Sequence, residues 1–214
     1  MQYADLASAF ERLEATPGRL GMTSILVELL AKVPASDMTA VVRLLQGAVA
    51  PDWEGLEVGL AEKQILKVLA GATGLPAEDV AKAYLESGDL GLAAEALLAR
   101  TKRKQATLGG MSELEVQEVF RILVEIANTT GTGSQDKKQK LLAKLLNEAS
   151  PLEARYITRT VAGRLRLGVA DMTFLDALAA WHLGKGVRSV TEMEADERAE
   201  QEALRAELER AYDL

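Results

Sequence analysis

The chain has 214 residues, 48% hydrophobic and 27% charged, a composition that is typical of globular proteins and excludes disordered and fibrous classes. It contains no cysteine and one histidine, which excludes disulfides, thiolate metal sites and His-rich metal sites. The net charge of −7 argues at first against a nucleic-acid partner, and no stretch is apolar for long enough to predict a membrane span, so we expect a soluble, intracellular protein.

Apolar residues recur at helical spacing almost everywhere, which predicts an all-α fold, a single domain of about ten to twelve helices. Ser36, Ser112 and Thr191 are predicted to start helices, because a hydroxyl there can accept a hydrogen bond from a free amide. In chain order the predicted helices cover residues 3–15, 22–33, 37–48, 60–72, 77–87, 90–100, 113–129, 134–148, 151–163, 171–183 and 191–212.

The first half of the chain is echoed in the second. Ala35-Ser36 recurs as Ala149-Ser150, and residues 58–62 recur as 167–171. We therefore predict two halves related by a pseudo-twofold axis, within one helical domain that an acidic helix follows; chance matching of Ala- and Leu-rich helices is the alternative. The halves are 3–72 and 113–183, the connector is 77–100, the domain is 1–190 and the acidic helix is 191–214.

Charge is distributed unevenly along the chain. Residues 100–166 carry 13 basic and 7 acidic side chains, a net charge of +6, whereas residues 1–99 have a net charge of −7 and residues 191–214 a net charge of −6. A cationic stretch inside an acidic chain favours an anionic ligand, and a solvated basic face is the alternative.

The first candidate segment within this stretch is a glycine-rich turn at residues 131–138 that leads into a predicted helix. Ser134 is its expected N-cap, and the free amides at the helix start beside two lysines favour phosphate binding. An ordinary capped helix is the alternative, and the spacing of a P-loop is missing. The candidate residues are Gly133, Ser134, Gln135, Lys137 and Lys138.

The second candidate segment is arginine-rich and covers residues 154–168. Arg155 and Arg159 are four residues apart and share a helix face. Two further arginines lie in a predicted loop between glycines that permit positive φ, where backbone amides can approach a phosphate. A solvated arginine face is the alternative. The loop candidates are Gly163, Arg164, Arg166 and Gly168.

The third candidate segment follows the predicted helix 90–100 and is short and basic. Its candidates are Thr101, Lys102, Arg103, Lys104 and Gln105. Such runs are common in linkers, but three basic segments at helix ends together predict a surface that follows a phosphate backbone. We find no constellation for catalysis and no metal site, so the sequence predicts a binding protein.

These segments lie in strings that resemble the N-terminal DNA-binding domain of ATP-dependent DNA ligases, most closely the archaeal type. The strings are FERLEATPGRLGMTSILVELL (10–30), GLEVGLAEKQILKVLAGATG (55–74), ESGDLGLAAEALL (86–98), GSQDKK (133–138) and ASPLEARYITRTVAGRLRLGVADMTFLDALA (149–179). The resemblance implies a helical domain that clasps nicked duplex DNA across its minor groove without sequence specificity. It also implies that the three segments above contact the backbone, together with Arg19 between Thr16 and Thr23.

The ligase signature K-x-D-G, whose lysine takes the AMP, does not occur in the chain. We therefore expect a fragment of a larger ligase that binds DNA without sealing nicks and holds no cofactor, whereas ATP and magnesium act in the parent protein. The resemblance implies nicked double-stranded DNA, the adenylation and OB-fold domains of the parent chain and a sliding clamp as partners, no membrane, and a cytoplasmic, nucleoid-associated location. An α-helical protein-interaction scaffold with a basic surface for an acidic partner is the alternative function.

Overall fold

The computed structural model describes residues 1–105, 114–165, 167–184 and 194–212, and for residues 52, 102–105 and 211–212 it describes the backbone alone. These residues form an all-α fold, as predicted, with eleven α-helices, two 3₁₀ turns and one isolated bridge between Gln2 and Glu115. The helices are α1 (Tyr3–Glu14), α2 (Arg19–Leu30), α3 (Met38–Leu45), α4 (Glu62–Thr73), α5 (Ala77–Ser87), α6 (Leu90–Gln105), α7 (Val116–Asn128), α8 (Ser134–Glu148), α9 (Pro151–Val161), α10 (Asp171–His182) and α11 (Ala195–Tyr212). Within the described ranges, no helix is long and apolar enough to cross a membrane.

The helix starts follow the predicted signals only in part. Ser36 was predicted to start a helix; it lies inside a 3₁₀ turn (Ala35–Asp37) that leads directly into α3 at Met38, and its hydroxyl donates to Asp37 at 3.1 Å. Ser112 and Thr191 lie outside the described residues. A capping box that the sequence analysis missed starts α9, where Ser150 and Glu153 each accept a hydrogen bond from the other's backbone amide.

Apolar side chains at helical spacing build the core, as the periodicity predicts. On α7 the buried residues recur three or four positions apart, so that one stripe of the helix faces the interior. These residues are Val116, Val119, Ile122, Leu123, Ile126 and Ala127. Tyr3, Phe10 and Tyr156 are among the largest side chains that are fully buried.

The described residues divide into two compact units. Unit 1 takes residues 1–8 and the described part of 39–165, and it contains α4 to α9. Unit 2 takes residues 9–38 and the described residues from 167 onward, and it contains α2, α10 and α11. These units do not coincide with the predicted halves 3–72 and 113–183, and the pseudo-twofold arrangement stays a prediction.

One local likeness does link the two predicted halves, and it lies within unit 1. At the end of α3, Gly47 has φ 71° and the amides of Gly47 and Ala48 donate to the carbonyls of Leu44 and Arg43. At the end of α9, Gly163 has φ 63°, and the amides of residues 163 and 164 donate to the carbonyls of residues 160 and 159. Both helices thus end in a Schellman motif.

Helices α6 and α9 approach each other closely at Gly91. A methyl group at this position would lie 2.6 Å from the carbonyl oxygen of Arg155 and 2.7 Å from Cγ of Arg159. Because the first of these atoms belongs to the backbone, it cannot move aside without shifting α9. Only glycine allows the two helices to pack at this distance.

We expect Gly91→Ala to destabilise the protein by about 1–3 kcal/mol, the usual cost of forcing a methyl group into a packed interior. Gly71→Ala is the matched control, because Gly71 lies inside α4 with nothing within 4 Å of the added methyl group. That control should stabilise the protein by about 0.5–1 kcal/mol through helix propensity. Urea unfolding of both variants measures the difference, and equal effects would contradict the close approach.

Candidate nucleic-acid interface

The glycine-rich turn before α8 contains two glycines with positive φ, and its cap differs from the prediction. Gly131 and Gly133 have φ values of 86° and 80°, and Gly133 is the N-cap residue. Ser134 is the first helical residue, so its assignment as N-cap is wrong, because the left-handed glycine lets the chain enter the helix one position earlier. Because glycine has no side chain, no N-cap side chain accepts a hydrogen bond from the first amides of α8. Gln135, in the first turn of the helix, is exposed.

The two predicted lysines of this segment differ in their surroundings. Lys137 is 58% exposed, and its Nζ lies 2.9 Å from Oε1 of Glu125 on α7. The hydrogen bond from Lys137 lowers the pKa of Glu125 below its ordinary value. Lys138 is half-buried. Lys137 is therefore the more accessible cation, and it already has a carboxylate partner.

The turn after α9 presents Arg164 to solvent. The Schellman motif at Gly163 fixes the backbone, and the Arg164 side chain is 52% exposed. Its guanidinium lies 4.0 Å from Oε2 of Glu62 at the start of α4, and the same oxygen accepts a hydrogen bond from the Tyr84 hydroxyl at 2.7 Å. The next residue, Leu165, packs beside Gly47.

Two further residues of the predicted loop fall elsewhere. Gly168 belongs to unit 2 and has φ 72°, so both glycines that bracket the loop adopt the positive φ that the sequence analysis anticipated. Arg166 lies outside the described residues.

Arg155 and Arg159 lie at the contact between α9 and α6 in unit 1, not on an open face. Arg159 is 8% exposed, and its Nε lies 3.1 Å from both carboxylate oxygens of Asp89. Arg155 is 13% exposed and lies 3.4 Å from Glu95. Both guanidinium groups also lie over the Tyr156 ring, at 5.2 and 5.7 Å from its centroid. This geometry gives the two arginines a structural role in joining helices, and DNA contact by them stays a prediction.

The basic run of the third segment continues α6. The helix extends to Gln105 instead of ending near residue 100, so Thr101 and the four residues after it form its last turn. The Thr101 hydroxyl donates to the carbonyl oxygens of Leu97 and Leu98. The side chains of Lys102, Arg103, Lys104 and Gln105 lie outside the described residues.

In unit 2, Arg19 is the first residue of α2 and is 55% exposed. Its guanidinium bonds to Asp176 on α10, and the same carboxylate lies 3.5 Å from Arg205 on α11. Thr23 donates its hydroxyl to the Arg19 carbonyl at 2.9 Å. Asp176 therefore ties three helices of this unit together.

Sequence reasoning missed the carboxylates that face the predicted cations, namely Glu62, Asp89, Glu95, Glu125 and Asp176. The spacing along the chain gives no direct signal for them, since Arg19 and Asp176 are separated by 157 positions. The predicted pairing of neighbouring helices is the one signal that would have pointed to Glu125, because α7 and α8 are joined by a short turn.

The chain is similar to archaeal DNA ligases. Residues 2–179 match the family model described as DNA ligase N terminus. The chain is 46% identical over 197 residues to DNA ligase 2 of Thermofilum pendens, which covers 90% of this chain and 33% of that protein. It is 47% identical over 189 residues to the DNA ligase of Staphylothermus marinus, with 84% and 32% covered, and 38% identical over 214 residues to that of Cenarchaeum symbiosum, with 100% and 33% covered. The chain thus spans about a third of the length of these curated relatives.

Asp89 provides a test of the structural role of Arg159. Besides facing Arg159, its Oδ1 accepts the amide of Leu92 at 2.8 Å and so caps α6. Partial burial raises the pKa of Asp89, but the hydrogen bonds from the Leu92 amide and from Arg159 outweigh this effect, and the pKa lies below its ordinary value. We expect Asp89→Asn to destabilise the protein by about 3 kcal/mol at neutral pH, because a nearly buried guanidinium loses its counter-charge.

Because the folded-state pKa is lowered, the stabilisation by Asp89 is present above the ordinary carboxyl pKa and is lost as the pH falls through the lowered value. The difference between the native protein and Asp89→Asn should therefore shrink below about pH 4. Urea unfolding between neutral pH and pH 3 measures it. Glu86→Gln is the control, since Glu86 forms an exposed pair with Lys82 at 3.9 Å and its loss should change little. A difference that stayed constant with pH would contradict the assigned charge pair.

Proposed function

We propose, from the premise that the chain belongs to the family of DNA ligase N-terminal domains, that it grips duplex DNA for a longer DNA ligase. The proposed substrate is nicked double-stranded DNA, held through the phosphate backbone and the minor groove without sequence specificity. The catalytic part of the parent protein then seals the nick. The proposal gives the chain itself a binding role.

The observation that carries the proposal is the turn formed by Gly163 and Arg164. The Schellman motif fixes its backbone, and the Arg164 guanidinium is half exposed on a loop whose glycines and arginines favour anion binding. A guanidinium on a rigid turn can approach a phosphate oxygen with little loss of conformational freedom. The turn is thus suited to contact a phosphate group of a DNA backbone that passes the end of α9.

The start of α8 supports the same proposal within unit 1. Its glycine N-cap leaves the helix end without a side-chain cap, and the positive end of the helix dipole lies beside Lys137 and Lys138. Amides, lysines and arginines bind phosphates of any sequence, whereas the reading of bases needs side chains in a groove. These groups therefore favour binding that positions DNA without selecting its sequence.

The buried arginines contribute indirectly. Because Arg159 is bonded to Asp89 and its carbonyl accepts the Arg164 amide at 2.8 Å, the contact between α6 and α9 extends directly into the proposed phosphate-binding turn. In this proposal Arg155 and Arg159 hold the end of α9 in place, and Arg164 contacts the DNA. DNA contacts by Arg166 and by the basic run Thr101–Gln105 stay predictions from the sequence.

The sealing chemistry belongs, in this proposal, to the rest of the parent ligase. The chain has no K-x-D-G signature for the lysine that takes the AMP. Among the described residues, no three His, Asp or Glu side chains lie together in a way that could hold a metal ion, so we assign no magnesium site to them. ATP, magnesium and the adenylation and OB-fold domains are proposed for the parent chain, and contacts with a sliding clamp and nucleoid association stay predictions.

Binding to nicked and intact duplex of one sequence, titrated with salt, tests the proposal. We expect log K to fall by about 0.9 per log unit of salt for each phosphate that is neutralised. Arg164→Ala should weaken binding to a similar extent on any duplex sequence and reduce the salt slope by about 1. Lys82→Ala is the control, because Lys82 is a 73% exposed cation on α5 outside the basic segments. Fluorescence anisotropy with labelled duplexes measures both variants.

Binding that is absent, or that hardly changes with salt, would overturn the proposed function and leave an acidic protein partner as the better interpretation of the basic surface. An equal loss from Arg164→Ala and Lys82→Ala would show that net charge alone is responsible. A loss confined to some sequences would contradict contact through the backbone.

A further inference from the structure

Two exposed cations of the proposed interface, among the residues that the structure describes, already have carboxylate partners, each from a different helix of unit 1. Lys137 on α8 lies 2.9 Å from Glu125 on α7, and Arg164 after α9 lies 4.0 Å from Glu62 on α4. A carboxylate oxygen and a phosphate oxygen seek the same N–H donors with the same geometry. A phosphate that binds Lys137 must therefore compete with Glu125.

The geometry of the Lys137–Glu125 pair allows this exchange. The two side chains are 58% and 38% exposed, so the carboxylate can be rehydrated when the ammonium group leaves it. A glutamate carboxylate is charged at neutral pH even with its ordinary pKa, and the hydrogen bond from Lys137 lowers the pKa of Glu125 further, so this charge repels an approaching phosphate. Arg121 lies 4.0 Å from Glu125 and remains beside it after Lys137 has turned away.

Resting on the proposed function, we propose that Glu125 is an internal competitor for the phosphate that Lys137 binds, so that the domain exchanges a carboxylate for a phosphate when it engages DNA. Glu62 is placed to act in the same way toward Arg164. Its Oε2 also accepts the Tyr84 hydroxyl at 2.7 Å, so this carboxylate retains a hydrogen-bond donor when Arg164 turns to DNA. The two glutamates lower the affinity for DNA, and in the absence of DNA they hold the two cations in place at the interface.

Glu118 provides a closely matched control on the same helices. It lies seven positions before Glu125 on α7, and its partner Lys144 lies seven positions after Lys137 on α8, at 2.7 Å. The exposed fractions of Glu118 and Glu125 are 36% and 38%, and both lie 4.0 Å from Arg121. Glu118→Gln and Glu125→Gln thus remove the same charge from the same kind of pair, but only one pair contains a proposed phosphate contact.

The experiment measures the Kd of labelled nicked duplex for the native chain and the two variants at several salt concentrations. We expect Glu125→Gln to tighten binding about threefold at low salt, with the gain fading as salt rises, and Glu118→Gln to change it by less than about 1.5-fold. When Lys137 is also replaced by alanine, Glu125→Gln should increase the affinity for DNA no more than Glu118→Gln does. Thermal unfolding of each variant confirms that the helices are intact.

Equal gains from the two glutamine variants would overturn the exchange and leave a general effect of net charge. Weaker binding by Glu125→Gln would overturn it as well, since Glu125 would then position Lys137 for DNA. Either result is compatible with a domain that binds DNA through Arg164. A chain that binds no duplex DNA would instead overturn the proposed function, and the exchange with it.

Discussion

The structure of unit 1 depends on the contact between α6 and α9. At this contact two arginine side chains are largely removed from water, and the two helices approach each other closely at a glycine. Removing a guanidinium from water is costly, and Asp89, Glu95 and the Tyr156 ring offset that cost. A buried ion pair adds little net stability compared with apolar packing, but it is intolerant of misplacement. With Gly91 fixing the distance between the helices and two carboxylates facing two arginines, α9 has one favourable register against α6.

This register matters because the proposed interface begins where α9 ends. The carbonyl of Arg159 accepts the amide of Arg164, so the residue that is held in the interior is bonded directly to the residue that faces solvent. The arginines of this segment thus divide into two kinds. Arg155 and Arg159 pair with carboxylates inside the protein, whereas Arg164 is half exposed, so the net charge of residues 100–166 overstates the charge that is accessible at the surface.

The parts of this arrangement that could be predicted are local in sequence. Apolar spacing predicted the eleven helices of the described residues. The turns at Gly163 and Gly168 could be predicted because glycine adopts positive φ readily, whatever its neighbours along the chain. The spacing of Arg155 and Arg159 placed them on one helix face but could not say which face, since their partners lie 60 and 70 positions away. The predicted N-cap of α8 was wrong by one residue. Gly133 and Ser134 are both acceptable N-cap residues, and only the backbone conformation decides between them.

Several exposed cations of this acidic protein are paired with carboxylates on other helices. Pairing each one with a carboxylate restrains a long side chain, and the strength of that pair sets how readily an external phosphate replaces it. In unit 2, Asp176 is shared by Arg19 and Arg205, so it keeps one guanidinium when it releases the other. In unit 1, Glu62 keeps Tyr84 and Glu125 keeps Arg121. In all three places the carboxylate has a second polar partner, which is the arrangement that lets a cation turn outward without leaving a charge unsatisfied.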